Sequence, residues 1–417
     1  MPGPGFYWIG KEEEEEVLDV IRSRYLFRYG SEKDPSFKKK AFTLESKVCK
    51  KFGVNHALAL SSGTAALITA MTACRIGPGD EVICPGYTFI ASISSIIICG
   101  AVPVLAEIDE SLTLDPADVE KKIRPKTKAI LAVHMLGNPC NMDKLKEIAK
   151  KHSLILIEDS AQAFGGMYKG KRLGTIGKIG TFSFNIFKTI NAGDGGLVVT
   201  DNDELYKLAF AYHDQGHFPL RTGVEVGNRS VVGQNYRMNE LTAAFLLAQF
   251  RKLDKLLERL HYIKARYKDH LKGIDGLSFR KIHDEKGECA TLLTVLLPSK
   301  AVADKAAKEI GCTTLAHSGW HVYNNMEQIL GKKQLTIGPP FHSKEFPTDV
   351  EYKKGMLPQT DSILNRAINI SVGVIDAGLG SAFGVNPLST DEEIDRKARD
   401  FIKVVRKYVN GNQPARK

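Results

Sequence analysis

The 417-residue chain is poor in the features that mark several protein classes. Its seven cysteines, Cys49, Cys74, Cys84, Cys99, Cys140, Cys289 and Cys312, are scattered, odd in number and never in a Cys-x-x-Cys pair. That excludes a disulfide framework and a structural zinc site, and it fits thiols kept reduced. There is no internal repeat, and Gly and Pro are neither periodic nor dense enough for a fibrous or low-complexity chain. With 43% hydrophobic residues, disorder is excluded as well. Met1–Ile9 has no basic stretch leading into an apolar segment, so no secretory signal is read. One uncharged run, Val82–Ala106, has the length of a membrane span. Pro85-Gly86, Gly100 and Pro103 break it, however, and it reads as strand, turn, short buried helix and strand. A cytoplasmic chain with no membrane insertion is expected.

Lys and Arg number 58 against 48 Asp and Glu, a net charge of +10. A whole-chain excess does not choose among nucleic acid, membrane and small acidic ligands. No helix-turn-helix pattern or basic helix supports a nucleic-acid partner, which leaves acidic small molecules or plain solubility. Arg406, Lys407, Arg416 and Lys417 read as a solvated tail. The acidic run Glu12–Glu16 reads as the first turn of a helix, where it complements the dipole.

What the chain does have is alternation. The apolar runs Ala57–Leu60, Glu81–Cys84, Val102–Leu105, Ala129–Val133, Ser153–Ile157, Thr181–Phe184 and Gly196–Thr200 end in small or polar residues, with helical patterns such as Met142–His152 between them. Buried strands alternating with helices predict an α/β fold with a largely parallel sheet, and polar residues at strand ends mark its ligand edge. A long helical pattern, Leu241–Lys264, is expected to lead from a large domain, residues 1–260, into a smaller C-terminal α/β domain, residues 261–417. The latter holds a strand candidate at Ala290–Leu297 and a closing amphipathic helix, Thr390–Val409.

Two features carry chemistry, and a third, glycine-rich, does not. Ser61-Ser62-Gly63-Thr64-Ala65-Ala66 places a strand, a tight turn, hydroxyls and a helix start in succession, which serves either as an anion cradle or as an ordinary N-cap. Gly174-Thr-Ile-Gly177-Lys-Ile-Gly180 lacks Gly-x-Gly-x-x-Gly spacing and reads as a loop. Asp159 lies at the mouth of an apolar strand, with Gln162 close by, and Lys188 follows another strand that ends at Ser183. An amine, a carboxylate and an anion cradle suit pyridoxal phosphate, which needs a lysine for the Schiff base, an acid to keep the pyridine nitrogen protonated, and donors for the phosphate.

The ordered set Ser62-Gly63-Thr64, Pro85-x-x-Thr88-Phe89, Val133-His134-x-x-Gly137, Glu158-Asp159-x-x-Gln162, Gly177-x-x-Gly180, Phe182-Ser183-Phe184-x-x-x-Lys188 and Gly193-Asp-Gly-Gly196 resembles the DegT/StrS family of sugar aminotransferases. Gly233-x-Asn235-x-Arg237-x-x-Glu240-x-x-Ala243-Ala244 and Gln249-x-x-x-Leu253 extend the likeness. The resemblance implies the fold-type-I architecture, a large domain with a mixed, mostly parallel seven-stranded sheet plus a small C-terminal domain, and a homodimer with shared active sites. It also implies roles: Lys188 as Schiff-base lysine and proton shuttle, Asp159 as partner of the pyridinium nitrogen, Phe89 stacked on the ring, and Gln162 against its face or near the phenolic oxygen. Ser62, Gly63, Thr64 and Ser183 would hold the phosphate, and Asn235 would reach in from the other subunit. The cofactor would alternate with pyridoxamine 5′-phosphate. The family usually has Glu where this chain has Asp194.

Outside that core, Leu26-Phe27-Arg28-Tyr29, Asp214-Gln-Gly-His217 and Tyr323-Asn324-Asn325 are similar to the branch of the family that aminates the oxidised terminal carbon of an octulosonate sugar for lipopolysaccharide, with glutamate as donor. The family's Pro-Leu-His segment is replaced by Gly319-Trp-His-Val-Tyr-Asn-Asn325. Arg28, His217, Trp320 and Asn325 are therefore the substrate-contact candidates. Arg28 and Arg237 are possible carboxylate forks, although Arg237 equally suits an ion pair with Glu240. His213/His217 and His317/His321 are spaced by four but lack the His-Glu-x-x-His order, and no metal is expected. The rival readings are an aminotransferase for a nucleotide-linked keto sugar and a non-catalytic cofactor-binding regulator. A dehydratase of the same family would carry His in place of Lys188.

Overall fold

A computed structural model of the chain describes residues 2–31, 33–219 and 230–410; Arg416 and Lys417 of the basic tail lie outside it. The strands in chain order are β1 (His56–Leu60), β2 (Glu81–Pro85), β3 (Val102–Ala106), β4 (Thr127–Val133), β5 (Ile155–Asp159), β6 (Met167–Tyr168), β7 (Lys171–Arg172), β8 (Ile179–Ser183), β9 (Gly196–Thr200), β10 (Ser278–Phe279), β11 (Leu292–Leu296) and β12 (Ala367–Ser371). A seven-stranded sheet runs in the order β1-β9-β8-β5-β4-β2-β3. The pairs among β8, β5, β4, β2 and β3 are parallel, whereas β9 is antiparallel to both of its neighbours. This is the mixed, mostly parallel sheet of the fold-type-I transferases.

The strands read as continuous apolar runs because both faces are covered. In β1, Leu58 and Leu60 enter one hydrophobic core while Ala57 and Ala59 enter the other. The uncharged run from Val82 resolves into β2, the helix Ile90–Ile98 and β3. Among the described residues no helix is long and apolar enough to cross a membrane. All seven cysteines are unpaired.

The helix Glu240–Leu271 is longer at both ends than its sequence pattern and passes residue 260 without a break. Beyond it, β10, β11 and β12 form a three-stranded antiparallel sheet, flanked by the helices Lys300–Glu309 and Asp391–Asn410. Residues 315–357 turn back onto the large sheet. Tyr323, Met326 and Leu357 belong to the same core as β2 and β4, and Tyr87 bridges Val322.

The acidic run is more than a dipole partner. Glu13 is buried in the helix Lys11–Ser23, accepts from the Gly10 amide at 2.7 Å, and pairs with Lys252 at 2.7 Å. Glu16 pairs with Lys40 and Arg251. The run thus fastens the N-terminal helix to Glu240–Leu271.

Candidate active site

Parallel strands end together at one sheet edge, and the side chains there line a cavity of about 510 Å³. Ser62, Gly63, Thr64, Phe89, Asp159, Gln162, Ser183, Lys188 and Trp320 all face it, so eight cofactor candidates and one substrate candidate converge.

The cradle forms where β1 gives way to the helix Gly63–Ala73. Ser62 caps that helix, its Oγ accepting from the Ala65 amide at 3.1 Å. The amides of Gly63 and Thr64, the first two of the helix, have no intrahelical acceptor, and the positive end of the dipole adds to them. A Cβ on Gly63 would stand 2.6 Å from Ser183 Cβ, so glycine is what lets β8 close beneath the cradle.

Asp159 ends β5 and is buried. Its Oδ2 accepts from Ser92 Oγ at 2.6 Å and its Oδ1 from the Ala161 amide at 3.1 Å. Ser92 in turn meets Thr88 Oγ1 at 2.7 Å. Neither hydroxyl was singled out for this role by the sequence reading; Thr88 stands in the quoted Pro85-x-x-Thr88-Phe89 motif, and Ser92 lies one helical turn on. Glu158, beside Asp159, points the other way. It accepts from the amides of Gly174, Ile176 and Gly177 at 2.8, 2.6 and 2.5 Å, and meets His134 Nε2 at 3.0 Å. Residues 174–178 of the glycine-rich segment are therefore a loop folded around a buried carboxylate, which they anchor at the end of β5, while Ile179 and Gly180 already belong to β8.

Lys188 sits on the 184–195 loop, whose backbone pairs Phe184 with Gly195 and Ile186 with Gly193. The N-terminus pins this loop: the Gly3 amide donates to Ile186 O at 2.9 Å, and a Cβ on Gly3 would meet the Phe187 carbonyl. Lys188 Nζ lies 6.0 Å from the Phe89 ring centroid. Burial pushes its pKa below the usual lysine range, against the pull of Asp159 and Asp376. Gln162 is fixed through Oε1, which accepts from the Leu136 amide at 2.8 Å. Asp194 takes Asn185 Nδ2 at 3.2 Å and lines the cavity, so the shorter acid still reaches a local partner. Phe89, 40% exposed, offers an open aromatic face. The open amides, the exposed ring, the anchored carboxylate and a lysine with no hydrogen-bond partner among the described residues fit pyridoxal phosphate.

Four candidates stand elsewhere. Arg28 is fully buried and pairs with Glu45 at 2.8 Å, donates to Ala59 O at 3.1 Å, and lies 3.3 Å from His213 Nε2. It is a structural cation rather than a substrate fork. Asn325 spends its amide on Ala316 O and Ser318 O at 2.8 and 3.0 Å, shaping the loop that carries Trp320. His217 is buried with Nδ1 on Asp214 O at 2.7 Å, away from the cavity. Asn235 is exposed and bridges Asp214. Arg237 pairs with Asp214 at 2.5 Å rather than with Glu240, because Glu240 accepts from the amides of Lys40 and Ala41 at the start of a second helix. Among the described residues no cluster of three or more metal-binding side chains occurs. His321, which the sequence offered only as half of a metal-spaced pair, and Asp376, which it did not single out, line the cavity from the C-terminal half. No strand-end pattern flags them.

Sheet order, strand-edge cavity and lysine loop define a fold-type-I transferase. The chain belongs to the DegT/DnrJ/EryC1/StrS aminotransferase family, whose sequence model matches residues 8–374. It is 42% identical to GDP-perosamine synthase of Vibrio cholerae over 53% of this chain and 59% of that one, so it spans about three-fifths of that relative's length. It is 32% identical to the spore coat polysaccharide biosynthesis protein SpsC of Bacillus subtilis, over 97% of this chain and 96% of that one. Among solved structures, the aminotransferase from Psychrobacter cryohalolentis superimposes with a TM-score of 0.78 at 25% identity, covering 98% and 100% of the two chains.

Proposed function

We propose that this chain moves an amino group from L-glutamate to the carbonyl carbon of a sugar, with pyridoxal 5′-phosphate held in the strand-edge cavity and two copies of the chain sharing their sites. The observation that carries the reading is one cavity in which an unpaired lysine of lowered pKa and an anchored buried carboxylate face the same space. When bound, the cofactor supplies an electron sink for the carbon that gains or loses a proton.

The chain's own residues do the rest. Ser62, Gly63, Thr64 and Ser183 bind the phosphate through open amides and hydroxyls. Asp159 would hold a proton on the ring nitrogen, and Ser92 with the Ala161 amide keeps that carboxylate aimed. Lys188, whose proton is loosened by burial, would take the proton from the donor α-carbon and return one on the cofactor side, the role of a general base. Phe89 and Gln162 keep the ring plane fixed.

A nucleotide-linked keto sugar is the acceptor class best supported, through the likeness to GDP-perosamine synthase. The octulosonate reading loses the support of Arg28 and Asn325, which are engaged in the fold, and of His217, which does not line the cavity, and keeps Trp320 there. The test is amine transfer followed by mass spectrometry, with glutamate and either a GDP-linked keto sugar or an oxidised octulosonate. A mass change in the first sugar is expected. Change in the octulosonate alone would reverse the acceptor assignment, and cofactor binding without transfer to any sugar would favour a regulator.

A further inference from the structure

We infer that His321 is a specificity-determining residue of the acceptor subsite, its Nε2 accepting a hydrogen bond from a sugar hydroxyl close to the carbon that receives nitrogen. The inference rests on the aminotransferase reading and names the group of the sugar that this wall recognises.

The hydrogen-bond arithmetic fixes the ring. Ser318 Oγ lies 2.5 Å from Gly378 O and 2.9 Å from His321 Nδ1. A carbonyl only accepts, so the single Ser318 proton goes to Gly378 O. Ser318 must then accept from His321, which places the ring proton on Nδ1 and leaves Nε2 as a bare acceptor. That nitrogen has no protein partner among the described residues, although the side chain is more than nine-tenths buried and lines the cavity. Burial, with the Lys188 charge adding to it, pushes the ring's pKa down to about 3, so it stays an acceptor throughout the working range.

The surroundings select the ligand chemistry. The ring sits 5.3 Å from Phe89, and its backbone carbonyl accepts from the Thr88 amide at 2.9 Å, so it is held on the rigid segment that carries the cofactor-facing aromatic. The described residues lining the cavity include no arginine, and Lys188 is their one cation, while Asp159, Asp194 and Asp376 all contribute carboxylates. A bare imidazole nitrogen accepts and does not donate, so it can hold a hydroxyl donor of the sugar and offers no hydrogen bond to an anionic group.

The test separates the two half-reactions of the holoenzyme by absorbance. His321→Asn keeps a donor near Nδ1 and deletes the acceptor at Nε2. It should lower kcat/KM for a GDP-linked keto sugar by about 10- to 100-fold and leave the glutamate half-reaction within about twofold. His321→Gln, whose amide oxygen reaches the Nε2 position, should recover most of that loss. An analogue lacking the hydroxyl next to the carbonyl should react as poorly with wild type as the parent sugar does with His321→Asn. Equal loss in both half-reactions, or an analogue penalty unchanged in the variant, would overturn the assignment. Nitrogen-15 spectra of histidine-labelled holoenzyme read the ring without turnover, His321 being identified by its absence in His321→Gln. An unprotonated Nε2 at pH 6 is expected, and a proton there refutes the inference whatever the enzyme aminates. A wild type inert toward glutamate would instead overturn the aminotransferase reading itself.

Discussion

His213 and His321 are the same device set to opposite ends. Each is buried, each carries its proton on Nδ1, and each is pushed down to about 3 by burial next to a cation, Arg28 in one case and Lys188 in the other. His213 gives Nδ1–H to Phe210 O at 2.5 Å and its Nε2 to Arg28. Both ring nitrogens of His213 are used, and Glu45 closes the cluster by pairing with Arg28 and accepting from the Ala59 amide. His321 has the same anchored side but leaves Nε2 facing the cavity. Burial and a shifted pKa are common to both places, so neither identifies a site by itself. What sets His321 apart is an open nitrogen on a residue that lines the cavity, whereas the open Nε2 of His217 is buried outside that lining.

The sharpest way to test that contrast is to remove the open group that the chemistry needs. Lys188→Ala should reduce turnover by at least about 10³-fold and abolish the borohydride-fixable cofactor absorbance, with little change in thermal stability. Turnover at the normal rate would break the mechanism. The closed cluster should answer in the opposite sense. Arg28→Met leaves the Glu45 carboxylate buried without its cation and should cost about 3–5 kcal/mol, read as a lower denaturation midpoint, while the glutamate half-reaction per folded molecule stays within about threefold. A large loss of that half-reaction with full stability would return Arg28 to the substrate.

A further effect, spread over a pH range, lies in the pH dependence of the closed histidine. His213 takes up a proton near pH 6.5 when unfolded but only near 3 when folded. Between those values the unfolded state binds more protons, so stability falls as pH drops through that window, by up to about 1.4 kcal/mol per pH unit. Comparing urea midpoints of wild type and His213→Gln between pH 7 and 4 isolates this slope. Parallel curves would show that His213 takes up its proton alike in the native and unfolded states and that the two histidines are not alike.

Much of this was legible in the sequence because strand ends announce themselves. Asp159 and Lys188 each follow an apolar run, and a parallel sheet brings such ends to one edge whatever the loops do. The cradle at Ser62–Thr64 was readable for the same reason, since cap, glycine and helix start are local. Ser92 escaped notice because its bond to Asp159 crosses 67 residues, and a serine in a short apolar helix has no local mark of function.

The motifs by themselves determined the chemistry: an amine, an acid and an anion cradle on one sheet edge, with their order along the chain. Only the tertiary structure decided which other polar residues have valence to spare. Arg28 finds His213 across 185 residues and Glu45 across 17, and becomes part of the frame. His321 finds Ser318 three residues away and keeps one nitrogen for the cavity. A side chain's free valence is set by everything packed around it, and for buried polar groups those neighbours come from distant parts of the chain.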